Sequence, residues 1–224
     1  MKIDILTIFP SMFTGPFDTS MLKKAQDNGI VKINIHDLRQ WAIDKHKSVD
    51  DKPYGGGPGM VLRVDVIYNA LESLKKKGKK TKVILLSPQG PVFTQKKAKE
   101  LAKIKHLILL AGHYEGFDER IHEYLVDEEL SIGNYVLTGG EIPAMVITDA
   151  IVRLLPGVLK EEAKENESFA KGNNLDYPVY TRPEEFLGWK VPKILLTGDH
   201  KKISEWRKEK AKEKSIIKNI KYLK

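Results

Sequence analysis

Short apolar runs rich in β-branched residues alternate with stretches of helical periodicity as far as Leu155. Ile3 to Phe9, Val31 to His36, Lys82 to Ser87 and His106 to Ala111 read as strands, with helices between them. That alternation predicts an α/β domain on a mainly parallel sheet. Lys96 to Lys105 sets Ala98, Leu101 and Ala102 at helical spacing. Pro143 to Leu155 is a helix that is apolar on most faces and is closed by Pro156 and Gly157. A helix so apolar is expected in the core or at a subunit interface. From Lys160 to Asn174 the pattern lapses, and Glu161, Glu162, Glu165, Glu167, Gly172 and Asn173 read as a mobile linker. Beyond it, Pro183 to Phe186, Pro192 to Leu196 and Lys201 to Glu213 read as three short helices. The expected organisation is a sheet domain over residues 1–159, a linker over 160–174 and a small helical domain over 175–224, with no internal repeat.

Composition narrows the chemistry. An apolar share of 41% with 30% charged residues is that of a folded chain. The absence of cysteine excludes disulfides, thiolate metal sites and a thiol nucleophile. No apolar run approaches the roughly 18 residues of a membrane span, so no membrane partner and a cytoplasmic location are expected. The net charge is +8, and Asp199 to Lys224 holds ten Lys or Arg against four acids, a net +6. A basic end of this kind suits phosphate contacts and a nucleic-acid partner, with Lys208, Lys210 and Lys212 as candidate contacts. A solvated lysine-rich helix accounts for the charge equally well. A second cluster, Lys75, Lys76, Lys77, Lys79 and Lys80 around Gly78, reads as an exposed helix end and loop.

The common nucleotide signatures are missing: the chain contains no GxxxxGK[ST], no GxGxxG and no HExxH. What it has instead are three glycine-bearing loops after expected strands. They are Ser87-Pro88-Gln89-Gly90, Gly112-His113-Tyr114-Glu115-Gly116, and Ile132-Gly133-Asn134-Tyr135-Val136-Leu137-Thr138-Gly139-Gly140. In an open α/β sheet, ligands bind beyond the carboxyl ends of the strands, and glycine lets backbone N–H and C=O groups approach a base closely. Each loop alone reads as an ordinary strand-to-helix turn, and only their joint occurrence points to one pocket.

Longer segments carry a resemblance. Leu85 to Gly90, Gly112 to Arg120, Ser131 to Glu141 and Leu175-Asp176-Tyr177-Pro178, with Lys52 to Met60 upstream, resemble the bacterial tRNA (guanine-N1)-methyltransferases of the SPOUT superfamily. The resemblance runs from Phe9-Pro10 to Trp206-Arg207. It departs at His113, where the family usually has Arg, and at Asn134, where it usually has Asp. It implies a SPOUT-like sheet with a deep trefoil knot, S-adenosylmethionine as methyl donor, and tRNA as substrate with guanine 37 of the anticodon loop as target. It also implies an obligate homodimer with a shared active site. The donor would be held by Leu86, Ser87, Pro88, Gln89, Gly90, Gly112, Tyr114, Glu115, Ile132, Gly133, Asn134, Tyr135, Val136, Leu137, Gly139 and Gly140.

Guanine N1 carries a proton at neutral pH, so methylation there needs a base within hydrogen-bond reach. Asp176, followed by the stiffening Tyr177-Pro178, is the candidate and matches the family's base position; on its own, beside Asn173 and Asn174, it reads more readily as a turn or cap residue. Arg153, the one cation in Pro143 to Leu155, is the candidate to stabilise charge on O6, with snorkelling at the helix end as the bland alternative. Glu115 is expected at the pocket, favouring the sulfonium or helping to hold magnesium. Tyr54 and Gly57, in an aromatic and glycine loop, are candidates for contact with an RNA base or else form a plain tight turn. His113 and His122 are assigned no catalytic role. The rival functions are another SPOUT methyltransferase acting on ribosomal RNA or a 2′-hydroxyl, and a non-catalytic RNA-binding protein.

Overall fold

The computed structural model describes residues 1–75, 80–160, 163, 164, 167–170, 172 and 174–222, with side chains in the last helix described as far as Lys218. Lys76, Lys77 and Lys79 of the lysine cluster, and Glu161, Glu162, Glu165 and Asn173 of the expected linker, lie outside the described residues. The chain divides into two compact units, Met1–Leu159 and Lys160–Lys224.

In the first unit, β1 (Lys2–Thr7), β2 (Lys32–Asp37), β5 (Thr81–Leu86), β6 (His106–Ala111) and β7 (Glu128–Leu130) form a parallel sheet in the order β2-β1-β6-β5-β7. The strands expected from sequence are all present within two residues of their predicted ends. Strand period 2 divides the apolar residues between two faces. Ile3, Ile5, Ile84, Leu86, Leu107 and Leu109 enter one core layer, with α1 (Ser20–Asp27) and α5 (Glu141–Val152) packed over it. α3 (Gln95–Leu101) lies beside α5 and adds Leu101 to this layer. Leu6, Val83, Leu85, Ile108 and Leu110 enter the other, under α2 (Val64–Leu74) and α4 (Glu119–Tyr124). Central β6 is buried along its whole length, as a strand covered on both faces must be.

β7 is an edge strand that the sequence pattern did not announce. Its Glu128 pairs with Lys82 at 2.6 Å and Lys97 at 2.7 Å. Burial pushes the Glu128 carboxyl up, but these two lysines outweigh it and hold the group below its ordinary range. Charges along an edge also discourage pairing with another sheet. A two-stranded antiparallel ribbon, β3 (Asp50–Asp51) with β4 (Val61–Leu62), frames the loop that carries Tyr54.

Toward the amino end of the sheet lies a buried charge. Asp4 is fully buried and accepts hydrogen bonds from Asn34 at 2.7 Å, from His36 Nε2 at 2.8 Å and from His106 Nε2 at 2.6 Å, with the Lys2 ammonium at 2.6 Å. Burial pushes its carboxyl up, yet the bonds from His36, Lys2, His106 and Asn34 together hold it well below the usual carboxylate range.

In the second unit, two of the three expected short helices need correction. Pro183 to Phe186 is not helical: Glu185–Phe186 is a strand, β8, paired antiparallel with β9 (Trp189–Lys190). The turn between them has positive φ at Leu187 and Gly188, the twist a tight hairpin requires. Lys201 to Glu213 is part of one long helix, α6 (His200–Tyr222), started by Asp199, whose Oδ1 accepts from Lys202 N–H. Pro192 to Leu196 is a single 3-10 turn over Lys193–Leu196.

Candidate functional site

Because β6, β5 and β7 are neighbours and parallel, the loops leaving their carboxyl ends emerge side by side. They enclose a cavity of about 310 Å³. Leu86 at the end of β5 is joined by Ser87, Pro88 and Gln89 from the first loop, Gly112, Tyr114 and Glu115 from the second, and Ile132, Gly133, Tyr135, Val136, Leu137, Gly139 and Gly140 from the third. Two of the sequence candidates are not brought there. Gly90 packs on β7, where a Cβ would lie 2.7 Å from Leu130 N, and Asn134 is exposed outside the lining. Sequence reasoning passed over Phe117, Ser131, Pro143, Thr138 and His113, which also line the cavity. The last two stood inside the quoted loops, so position after a strand was the available signal.

The loops are fastened to one another by main chain. Gly140 N–H donates to Gly112 O at 2.7 Å, Ser87 N–H to Leu130 O at 3.1 Å, and Phe93 N–H to Ser131 O at 2.7 Å. Glycine is required where they touch: a Cβ on Gly140 would fall 2.8 Å from Gly112 N, and one on Gly139 would lie 3.1 Å from Gly112 O and collide with His113 and Glu141. A Cβ on Gly112 would likewise strike the Phe117 ring. The walls therefore combine close backbone with the apolar side chains of Leu86, Ile132 and Leu137, a lining suited to a purine nucleoside held by main-chain groups.

Glu115 is exposed at the rim, and its N–H donates to Met60 O at 3.1 Å. Leu62 N–H donates to Gly116 O at 2.9 Å, so the second loop is laced to the segment that carries the aromatic and glycine turn. A Cβ on Gly59 would lie 2.9 Å from the Glu115 carboxyl carbon. Tyr54 is fully exposed and Gly57 has φ +132, but neither lines the cavity. In the segment that follows, Asp118 caps α4 by accepting from Arg120 N–H, and the Arg120 guanidinium holds its carboxyl below the ordinary range.

Arg153 caps the carboxyl end of α5, half-buried, while the amino end of that helix meets the cavity. At about 1.5 Å per residue, the 12-residue helix sets Arg153 roughly 18 Å from the loops of its own chain. On the outer face of α5, Ile142 and Val146 are 46% and 45% exposed.

Asp176 belongs to a cleft of about 650 Å³ within the second unit, between α6 and Glu167, Ala170 and residues 174–177. Its N–H donates to Ser168 Oγ at 3.0 Å, and the neighbouring Leu175 N–H donates to Ser215 Oγ at 2.8 Å. Asp176 Oδ1 accepts from the next residue's N–H, Tyr177, at 2.7 Å, a local bond that holds the carboxylate. Arg207 sits over the Tyr177 ring at 4.8 Å. Lys208 and Lys212, four residues apart, line the same cleft, whereas Lys210 turns away and pairs with Glu213 at 2.7 Å. The three lysines grouped by sequence are thus two plus one. No group of three or more His, Asp or Glu side chains is placed to hold a metal among the described residues. No helix among them is long and apolar enough to cross a membrane.

Residues 1–224 match the family model described as tRNA (Guanine-1)-methyltransferase TrmD. The chain is 55% identical over 218 residues to a tRNA (guanine-N(1)-)-methyltransferase of Halalkalibacterium halodurans, covering 96% of this chain and 88% of that protein. It is 55% identical over 218 residues to the protein of that name from Geobacillus kaustophilus, covering 97% and 89%. With the one from Dictyoglomus turgidum it shares 56% over 219 residues, covering 97% and 88%.

Proposed function

This chain belongs to the tRNA (guanine-N1)-methyltransferase family TrmD, whose members use S-adenosylmethionine, and on that premise we propose that it methylates N1 of guanine 37 in the anticodon loop of tRNA, with Asp176 as general base. The observation that carries the reading is the convergence of three glycine loops on one cavity whose walls are backbone. S-adenosylmethionine fits that lining and supplies an electrophilic methyl group on a sulfonium. The chain's own residues do the rest. The loops hold the donor through main-chain groups, and Glu115 at the rim favours the positive sulfonium. Asp176, held through Oδ1 by Tyr177 N–H, takes the N1 proton with its remaining lone pairs. Negative charge then spreads to O6, where Arg153 offers a charge-assisted hydrogen bond.

Arg153 stands a helix length from the cavity of its own chain, and α5 exposes Ile142 and Val146. Both facts favour a homodimer in which one subunit's Arg153 serves the other's cavity. Units 1–159 and 160–224 act as donor-binding and tRNA-gripping domains, joined at the segment after Lys160. The return of residues 131–140 to Gly112 supports the trefoil knot that the family implies. Magnesium, where required, would share the Glu115 carboxylate with substrate oxygens, since magnesium often takes only one or two protein carboxylates. A tRNA-modifying enzyme of this kind works in the cytoplasm.

The test is methyl transfer to unmodified tRNA transcripts, followed by mapping of the methylated atom. Asp176→Asn keeps the shape and loses the basicity, so the single-turnover rate at saturating tRNA should fall by about a hundredfold to ten-thousandfold while donor affinity holds. A near-parental rate would return Asp176 to the role of a turn residue.

A further inference from the structure

The proton transfer above makes no use of Glu141, yet this carboxylate is fully buried at the first residue of α5, beside the cavity. Its Oε1 accepts from Thr7 Oγ1 at 2.7 Å, and that hydroxyl accepts in turn from Phe9 N–H at 2.9 Å. Its Oε2 faces His113 Nδ1 at 3.6 Å. Both of these atoms are buried, and neither has a hydrogen-bond partner among the described residues. The His113 ring is held between Phe9, edge-on at 4.7 Å, and Tyr114 at 5.2 Å, and it lines the cavity.

Two unpartnered polar atoms facing each other across slightly more than a hydrogen-bond length are costly as they stand, and a small closure satisfies both. The direction of the bond depends on where the proton sits. A neutral Glu141 would donate to Nδ1 and leave His113 protonated at Nε2, whereas an ionised Glu141 requires the proton on Nδ1. The geometry sets Glu141 as the acceptor. It opens the 12-residue α5, at the positive end of the helix dipole, where an acceptor oxygen is well placed. The Thr7 hydroxyl donates to it as well.

We propose that Glu141, anchored by Thr7, is a positioning residue that holds neutral His113 as its Nδ1–H tautomer, so that His113 meets the bound methyl donor through Nε2 as a hydrogen-bond acceptor. The carboxylate thereby selects an N–H or O–H group of the ligand at that point of the wall, and it ties the 112–116 loop to the start of α5. The ligand half of this rests on the cavity being the donor site; the tautomer half does not.

The experiment uses the full chain labelled with 15N-histidine. In alkaline buffer, long-range proton–nitrogen correlation should show His113 with a protonated Nδ1 and an unprotonated Nε2, the signals being assigned by their loss in His113→Asn. An Nε2–H tautomer, or the mixture of a free imidazole, in the parent protein overturns the proposal. His113→Asn then tests the ligand half, because its amide can replace Nδ1–H toward Glu141 but has nothing at Nε2. Its affinity for S-adenosylhomocysteine should fall about fivefold, the worth of one hydrogen bond, with the unfolding midpoint near that of the parent. Unchanged affinity in His113→Asn overturns the contact at Nε2. Failure of the parent itself to bind, with the Nδ1–H tautomer present, instead sinks the donor-site reading and leaves the pair intact.

Discussion

Gly140→Ala tests whether the cavity depends on close contact between backbones. Gly140 has φ −83, a value open to any residue, so alanine meets no conformational obstacle. The whole cost is collision: the new Cβ would lie 2.8 Å from Ala111 Cα and from Gly112 N, at the end of the central, fully buried β6. Neither atom can swing aside as a side-chain tip would. The loop must move outward, straining the 2.7 Å bond from Gly140 N–H to Gly112 O. Overpacking costs about 1–3 kcal/mol and the weakened hydrogen bond about 0.5–1.5, so the unit should lose about 2–4 kcal/mol of stability. Denaturant unfolding measures this loss, and calorimetric titration with S-adenosylhomocysteine should show affinity reduced about tenfold or more, since two walls of the cavity part. Gly116→Ala is the control: its Cβ would meet open space, and only the φ of +103 opposes it, at about 1 kcal/mol. A Gly140→Ala protein with parental stability and parental affinity would refute the dependence of the cavity on backbone contact between its loops.

Asp4→Ala strips four donors of their acceptor and should cost about 3–5 kcal/mol in denaturant unfolding; a loss under about 1 kcal/mol would show that the cluster is not a buried charge network. Because the folded Asp4 carboxyl lies below its ordinary 3.8, its contribution is present above that pH and is lost as pH falls further, so Asp4→Asn should blunt acid unfolding relative to the parent. Lys208→Ala with Lys212→Ala should lower the salt slope of tRNA binding by nearly two, at about 0.9 per phosphate, while Lys210→Ala leaves it unchanged; equal effects from all three lysines would sink the cleft as the grip. On the proposed dimer with α5 at its interface, the parent should sediment as a dimer and Val146→Glu as a monomer that binds S-adenosylhomocysteine but does not transfer methyl groups; an active monomer would remove the need for a shared site.

β5 and β6 were legible as apolar runs covered on both faces, and β1 and edge strand β2 by the β-branched residues that alternate along them. β7 was not, since two of its three residues are the charged Glu128 and Glu129, and the partners of Glu128, Lys82 of β5 and Lys97 of α3, come from distant parts of the chain. Pro183 to Phe186 was read as a helix, although its last two residues open a hairpin turned at Leu187-Gly188, because Pro183 with two glutamates resembles a helix start. In the site, glycines after strands located the cavity. The Glu141–His113 pair was invisible: it joins residues 28 positions apart whose meeting depends on β7 lying beyond β5.

Recognition by backbone gives the two departures from the family pattern unequal weight. Where a wall is main chain, the identity of a side chain that points elsewhere is free to change, and Asn134 is such a position, exposed and outside the lining. The loop needs glycine at 139 and 140, where any Cβ collides, but it needs nothing particular at 134 to keep its shape. His113 is different. It lines the cavity, its ring is gripped by two aromatic neighbours, and its Nδ1 faces a buried carboxylate. An arginine there would offer Glu141 a permanent cation, whereas histidine offers a neutral donor on one side and an acceptor on the other. A change at 113 therefore alters the charge and the hydrogen-bonding sense of the wall, while a change at 134 alters only the surface beside it.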